Sequence, residues 1–259
     1  MDTRFWGPSG WKLLHLITFA SPKKDICEFF NTIPYVLPCK FCRASLSEYY
    51  MEDPCEKADN LPRWLWRIHN KVNDKLREQN MCRHENPSFS EVQAAYKEKL
   101  AQGCSQTVFD GWEFLFSIAE NHPYSRAGSV TSPLQGCPDP STLTTPLLRN
   151  RWNVMEADER IVYYKEFWDL LGPALPFENW RQVWQEKSKT FAGNWTSTGN
   201  WTSTRKSTLQ HLWKIRCALE KSLDLLNTTD YLSLCRQLQS VRSGCHASTR
   251  SRTCRKKRK

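Results

Sequence analysis

The sequence predicts an all-α protein, a helical bundle followed by a second, degenerate helical bundle. Three observations carry that expectation. Apolar residues recur at helical spacing through the first hundred positions. Glycine is scarce, at 10 of 259 residues, against 12 tryptophans, which disfavours a Gly-rich barrel or a phosphate-binding Rossmann turn. Blocks of the first hundred residues also recur, in order, further along the chain. At 39% hydrophobic content the length suffices for one large domain or two small ones with a real core.

Residues 5–100 read as helical throughout. Trp11 and His15, with Leu13, Leu14, Leu16 and Ile17, have helical spacing, and Pro8 and Ser9 stand where a helix can start. A second helix is expected through Ile26, Phe29 and Phe30, ending before Pro34. Pro38 is expected to open a third, over residues 39–51. The clearest helix is LPRWLWRIHNKVNDKLRE, where Trp64, Ile68, Val72 and Leu76 form one apolar stripe. Leu65, His69 and Asn73 share the adjacent stripe, which sets a polar ledge beside an apolar wall. A further helix is expected from Ser90 to Leu100. The Ser-, Thr-, Pro- and Gly-rich stretch from Tyr124 to Arg151 reads as a loop or insertion, and GNWTSTGNWTST as a flexible loop.

The longer repeat is more informative. WKLLHLITFASP from Trp11 aligns with WEFLFSIAENHP from Trp112, FFNTIPYVLPCKFC from Phe29 with FWDLLGPALPFENW from Phe167, and LWRIHNKVNDKL from Leu65 with LWKIRCALEKSL from Leu212. His15 becomes Phe116, Cys39 becomes Phe177, Cys42 becomes Trp180, His69 becomes Arg216 and Asn73 becomes Glu220. The apolar frame persists while each reactive position is lost. Residues 107–230 therefore read as a duplicate that keeps a fold without its chemistry. The expected units are 1–104, 105–235 and a flexible basic tail, 236–259.

The net charge is +10, but Tyr231 to Lys259 holds nine Lys and Arg and no acid. The basicity therefore belongs to the tail and not to a nucleic-acid surface on the fold. RKKRK suits nuclear targeting, a weak, sequence-blind nucleic-acid contact or a solubilising end. No apolar run approaches the ~20 residues of a membrane span, and MDTRFWGPSGW has neither a signal peptide nor a transit pattern. A cytoplasmic location without secretion is expected, and the sequons at Asn194, Asn200 and Asn227 then read as chance.

Eleven cysteines in a reducing compartment call for metal binding or redox chemistry. Cys39-Lys-Phe-Cys42 is the focal motif: two thiols at i, i+3 on a first helical turn lie close enough for an easily reduced disulfide, and the helix N-terminus favours a thiolate. A zinc site of Cys27, Cys39, Cys42 and Cys55 is the alternative, in a non-enzymatic helical scaffold whose tail binds nucleic acid. It lacks a second tight ligand pair. A thioredoxin-like reading needs a strand before the motif, and none is visible. Trp11 with His15, and His69 with Asn73, add an aromatic slab, two imidazoles and an amide. On an apolar bundle that set suits a flat redox cofactor held by helices.

W-x3-H, then PCxxC, then W-x4-HN-x-VN-x-KL resembles the Erv/ALR family of FAD-linked sulfhydryl oxidases over about residues 5–100. The resemblance implies a compact helical bundle, a homodimer, and FAD held between helices by Gly7, Trp11, His15, His69, Asn73, Lys75 and Tyr96, with no metal. It implies that substrate protein dithiols attack Cys39, that Cys42 is the flavin-proximal thiol, and that dioxygen accepts the electrons to give hydrogen peroxide. Cys245 and Cys254 are the candidates for the family's tail shuttle pair; two unpaired tail thiols is the other reading. The family's structural cysteine after the helix tryptophan is Trp66 here, with Cys82 near its partner's position, so that disulfide is expected to be missing. Viral members of the family are similar in lacking targeting signals, which implies host cytoplasm or virion as the setting. The degenerate copy resembles the second Erv-like domain of quiescin-type oxidases.

Overall fold

The computed structural model describes residues 1–20, 26–82, 84–103, 109–126, 128, 132–190, 203–224 and 229–242. All regular structure among them is helical. In chain order the helices are α1 (Thr3–Ala20), α2 (Cys27–Val36), α3 (Lys40–Glu52), α4 (Leu61–Glu78), α5 (Phe89–Gln102), α6 (Trp112–Glu120), α7 (Pro146–Arg151), α8 (Ala157–Ala174), α9 (Glu178–Thr190), α10 (Arg205–Ser222) and α11 (Tyr231–Arg242). None is long and apolar enough to cross a membrane.

Local chemistry sets several of the ends. Asn60 caps α4 by accepting from the Arg63 amide at 2.9 Å, with Pro62 in the first turn. Ser88 and Glu91 form a capping box at α5, as Glu156 and Glu159 do at α8. Two expected boundaries move. α2 does not stop before Pro34 but continues to Val36, and the Pro34 carbonyl accepts from Asn150 Nδ2 at 3.2 Å. α3 does not open at Pro38; Cys39 is extended (φ −135°, ψ 120°) and is the residue before the helix. The stretch from Tyr124 to Arg151 is not all loop either. Thr145 caps α7 through the Leu148 amide, with Pro146 at its start.

The helices up to α5, called the first bundle below, pack on those from α6 onward, called the second: α1 on α6, α2 on α8 and α3 on α7. Within the bundles α1 lies on α4 and α5, and α2 on α3, while α6 lies on α10, and α8 and α10 both meet α9. The α1–α6 approach is close because Gly10 has no side chain: a Cβ there would stand 2.9 Å from Phe114 Cδ2. One continuous apolar cluster runs through both bundles, from Leu13, Phe30 and Trp64 to Phe114, Phe167 and Trp180.

Cys27 and Cys55 form a disulfide, which ties the start of α2 to the turn before α4. Two of the four ligands of the zinc alternative are thereby consumed, and no His, Cys, Asp and Glu group among the described residues is arranged to hold a metal. The bridge spans 28 positions, so a Cys27→Ala/Cys55→Ala variant should lose about 3.6 kcal/mol by loop-closure entropy. Urea denaturation checks this; an unchanged midpoint would mean that the bridge carries no stability. The GNWTST repeat up to residue 202, the sequons, Cys104, Cys245, Cys254 and the tail beyond Arg242 lie outside the described residues.

Candidate active site

Three helices of the first bundle bring the predicted aromatic and imidazole groups together. Trp11 and His15, one turn apart on α1, face His69 on α4. The Trp11 indole stacks on His69, with centroids 4.0 Å apart and planes at 12°. His15 Nε2 and His69 Nδ1 are 3.1 Å apart, so one ring donates to the other. Tyr96 of α5 closes the cluster, its ring 5.3 Å from that of His15 and stacked at 5.5 Å on Phe19. His15 Nδ1 is buried with no hydrogen-bond partner. A buried polar atom left in that state is costly and marks a place where a ligand atom can bind.

Both imidazoles are neutral. Burial, and then the neighbouring His69, pushes His15 down to about 3, and burial alone pushes His69 down to about 4. Unfolded histidine titrates near 6.5, so between that value and about 4 the unfolded chain takes up protons that the native chain refuses. Stability is thus full above pH 6.5 and falls on acidification, by about 1.4 kcal/mol per pH unit for each such imidazole. Urea midpoints at pH 7, 6 and 5 should decline, and His69→Gln should flatten the decline; an equal slope in the variant would show that His69 is not a source of it.

Cys39 stands immediately before α3 and is 4% exposed, while Cys42 in the first turn is half-buried. The Arg43 amide donates to the Cys39 carbonyl at 2.9 Å, so the helix begins between the cysteines, with its positive dipole end at the turn. Lys40 and Phe41, the residues between the two cysteines, line a cleft of about 1030 Å³ with Ser45 and Lys75. Its walls are α3 and α4, and its far side is formed by Leu134 and Trp152 from beyond the first bundle. Lys75 Nζ donates to Ser45 Oγ there. Lys75 therefore belongs to the cleft beside the CxxC turn, on a different face of α4 from His69. Asn73 donates to Asn86 Oδ1 at 3.2 Å, an acceptor it shares with Arg77. Gly7 lies early in α1, where a Cβ would meet nothing within 4 Å, so packing alone does not demand glycine. Trp66 donates to the Pro87 carbonyl at 2.9 Å and packs edge-on against Phe89. This joins α4 to the start of α5 from the position at which the family carries the structural cysteine expected to be missing here.

At the repeated positions of the second bundle the space is filled. Arg216 Nε and Glu220 Oε1 pair at 2.7 Å where His69 and Asn73 stand in the first. Phe116 and Trp180, at the counterparts of His15 and Cys42, are fully buried. Sequence reasoning missed Phe19, Ser45, Trp152 and Arg43. Phe19 follows His15 at i+4 and could have been found by extending the stripe; the others carry no local signal.

Comparison with known proteins agrees with this geometry. Residues 8–96 match the Erv1 / Alr family. Over 85 residues the chain is 33% identical to a mitochondrial FAD-linked sulfhydryl oxidase of Saccharomyces cerevisiae, covering 29% of this chain and 45% of that protein. It is 32% identical over 85 residues to a probable FAD-linked sulfhydryl oxidase of Acanthamoeba polyphaga mimivirus, covering 28% and 59%. The match thus spans about half the length of these relatives. No solved structure matches the chain significantly. The matched segment contains the CxxC turn, both histidines, Asn73, Lys75 and Tyr96, and it is over residues 8–96 that the chain is similar to the Erv1 / Alr family.

Proposed function

We propose that residues 1–104 are a FAD-dependent sulfhydryl oxidase that forms disulfides in substrate proteins. The observation that carries the reading is a CxxC turn at the head of α3, whose middle residues Lys40 and Phe41 line a large cleft, in the same bundle as a buried neutral cluster of Trp11, His15, His69 and Tyr96. The residues suit FAD. The orphaned His15 Nδ1 and the Trp11–His69 stack are a polar atom and an aromatic slab for a flat heterocycle, and the Lys75 ammonium beside Ser45 is a cation for a diphosphate. Trp11, His15, His69, Asn73, Lys75 and Tyr96 would hold it. The chemistry FAD supplies is acceptance of two electrons from the reduced cysteine pair and their transfer to dioxygen, giving hydrogen peroxide.

The chain's own part is thiol–disulfide exchange. A substrate thiolate attacks Cys39 Sγ of the Cys39–Cys42 disulfide, and the electron pair of the broken S–S bond stays on Cys42. A second substrate thiolate then displaces Cys39, leaving substrate oxidised and the pair reduced. Cys39 is the more buried sulfur, so attack requires the turn to open. A Cys245–Cys254 shuttle remains part of the proposal and predicts that the double Ser variant slows oxidation of protein substrates but spares small dithiols.

Residues 105–235 act in this reading as a chemically silent duplicate, supported by the Arg216–Glu220 pair and by buried Phe116 and Trp180. α1, α2 and α3 are covered by α6, α8 and α7. The homodimer implied by the resemblance therefore has to use another surface, which sedimentation of the full chain reads directly. The mimivirus relative supports a viral setting, with the enzyme in host cytoplasm or virion.

The visible spectrum of the purified protein before and after anaerobic dithiothreitol tests the assignment. An oxidised-flavin spectrum that bleaches with dithiol is expected. A colourless protein carrying stoichiometric zinc would overturn it.

A further inference from the structure

Two buried arginines, one of them directly after the CxxC turn, have no carboxylate partner among the described residues. Arg43, the residue after Cys42, donates from Nη1 to the Leu37 carbonyl at 3.0 Å and from Nη2 to Asn153 Oδ1 at 2.9 Å. Arg160 of α8 donates to the carbonyls of Gly128 and Tyr35. The Nε of each is buried with no hydrogen-bond partner. Burial works against the charge of both guanidiniums; Cys39 and Cys42 favour that of Arg43, while Arg160 and Arg43 repel one another. The Met1 ammonium, 3.4 Å from the Pro38 carbonyl, and Lys40 on α3 are the other charges about the turn, and both are cations. A buried guanidinium served only by neutral acceptors is expensive. Carbonyls at the C-terminal end of α2 offset part of that cost through the helix dipole. Among the described residues, the groups acting on Arg43 that can become negative are the two cysteine sulfurs.

We propose that Arg43 is a positioning residue for the CxxC chemistry: its buried guanidinium, held by Asn153 from the second bundle, stabilises the thiolate released when the Cys39–Cys42 disulfide is opened. The inference rests on the oxidase reading. When a substrate thiolate attacks one sulfur, the S–S bond breaks and its electron pair leaves on the other as a thiolate. After the second substrate thiolate resolves the mixed disulfide, two electrons have passed from substrate to pair, and the substrate protons go to the pair or to solvent. Arg43 lowers the energy of the leaving sulfur and of the reduced pair, so the disulfide is a better oxidant.

Asn153 is built for the holding role. It adopts the left-handed region at φ 58° and is buried. It accepts from Arg43 and donates from Nδ2 to the Ser132 carbonyl at 2.7 Å. Neither Asn153 nor Arg160 lies in the 8–96 match. Residues beyond the matched segment thus supply no reacting group but hold a cation of α3 in place.

The test uses full-length wild type, Arg43→Lys, Arg43→Met and Asn153→Asp. Two readouts are the pH profile of iodoacetamide alkylation at Cys39 and Cys42, followed by peptide mass, and the equilibrium of the pair with glutathione. Loss of a close opposite charge raises a thiol pKa by about one unit or more. Arg43→Met should therefore hold roughly tenfold less thiolate at neutral pH, and its equilibrium should shift tenfold toward disulfide, about 30 mV. Arg43→Lys should recover most of this. Asn153→Asp keeps a residue tolerant of φ > 0 and keeps Arg43, yet should move both readouts in the Arg43→Met direction, because its carboxylate neutralises the guanidinium. If Arg43→Met does not fold, the other two variants decide. Alkylation profiles and glutathione equilibria like wild type in the folded variants overturn the inference. A wild type that forms no Cys39–Cys42 disulfide at any glutathione ratio overturns the oxidase reading itself, and this inference falls with it.

Discussion

Cys42→Ser should lower dithiol oxidation by about 10³-fold or more while leaving the fold intact. The side chain is half-buried, and exchanging sulfur for oxygen there removes little packing. What is lost is the partner with which, in the proposed mechanism, Cys39 forms the disulfide that is the oxidant. Because the two sulfurs act as one unit, Cys39→Ser should be as inactive, and the double variant no worse than either. Dithiothreitol-dependent oxygen consumption measures the rates. Incubation with oxidised glutathione then assigns the roles. In Cys42→Ser the mixed disulfide should accumulate on Cys39, despite its 4% exposure. An adduct that forms instead on Cys42 in Cys39→Ser, with none on Cys39, would reverse the order of attack. Turnover near wild type in any of the three variants would remove the pair from the mechanism.

Trp180→Ala should cost about 3–5 kcal/mol, a large part of the ~5–15 kcal/mol that a domain has in total. Trp180 is fully buried, with its ring 4.8 Å from those of both Phe109 and Phe177. It lies in the second bundle, at the counterpart of Cys42, so the family-matched segment does not include it. Its effect should nevertheless reach the first bundle, because the apolar cluster is continuous from Trp180 through Phe114 and Phe167 to Phe30 and Trp64. Thermal unfolding followed by tryptophan fluorescence and by bound-flavin absorbance should show one coincident transition, lowered in the variant, with Trp180→Phe restoring most of it. Two separate transitions, with flavin release unmoved, would show that the bundles fold independently.

The helices and most of the candidate site were legible because their signals are local. Trp11 with His15, and His69 with Asn73, declare shared faces by four-residue spacing alone, and the structure sets Trp11, His15 and His69 in contact. α4 runs over Leu61–Glu78, the same eighteen residues that the apolar stripe outlined. The ends at Pro34 and Pro38 were misread because a proline's effect depends on what meets the backbone group beside it. Asn150, more than a hundred residues away, takes the Pro34 carbonyl. The Cys27–Cys55 disulfide was not legible either, since spacing leaves connectivity open until α2 and the turn before α4 are brought together.

By itself, then, the sequence determined an all-helical chain with a CxxC turn and a tryptophan–histidine face. Each follows from periodicity or from residue identity at fixed short offsets, which the backbone geometry of a helix turns directly into shared faces. Only the tertiary structure decided that α6, α8 and α7 cover α1, α2 and α3. The same packing buries Arg43 beside the cysteines without an acid, and brings Asn153 from 110 positions away to hold it. The desolvation of a charge, and the partner that offsets it, depend on which helices surround it. No local period encodes that, because the free energy of a buried cation is set by the whole of its surroundings.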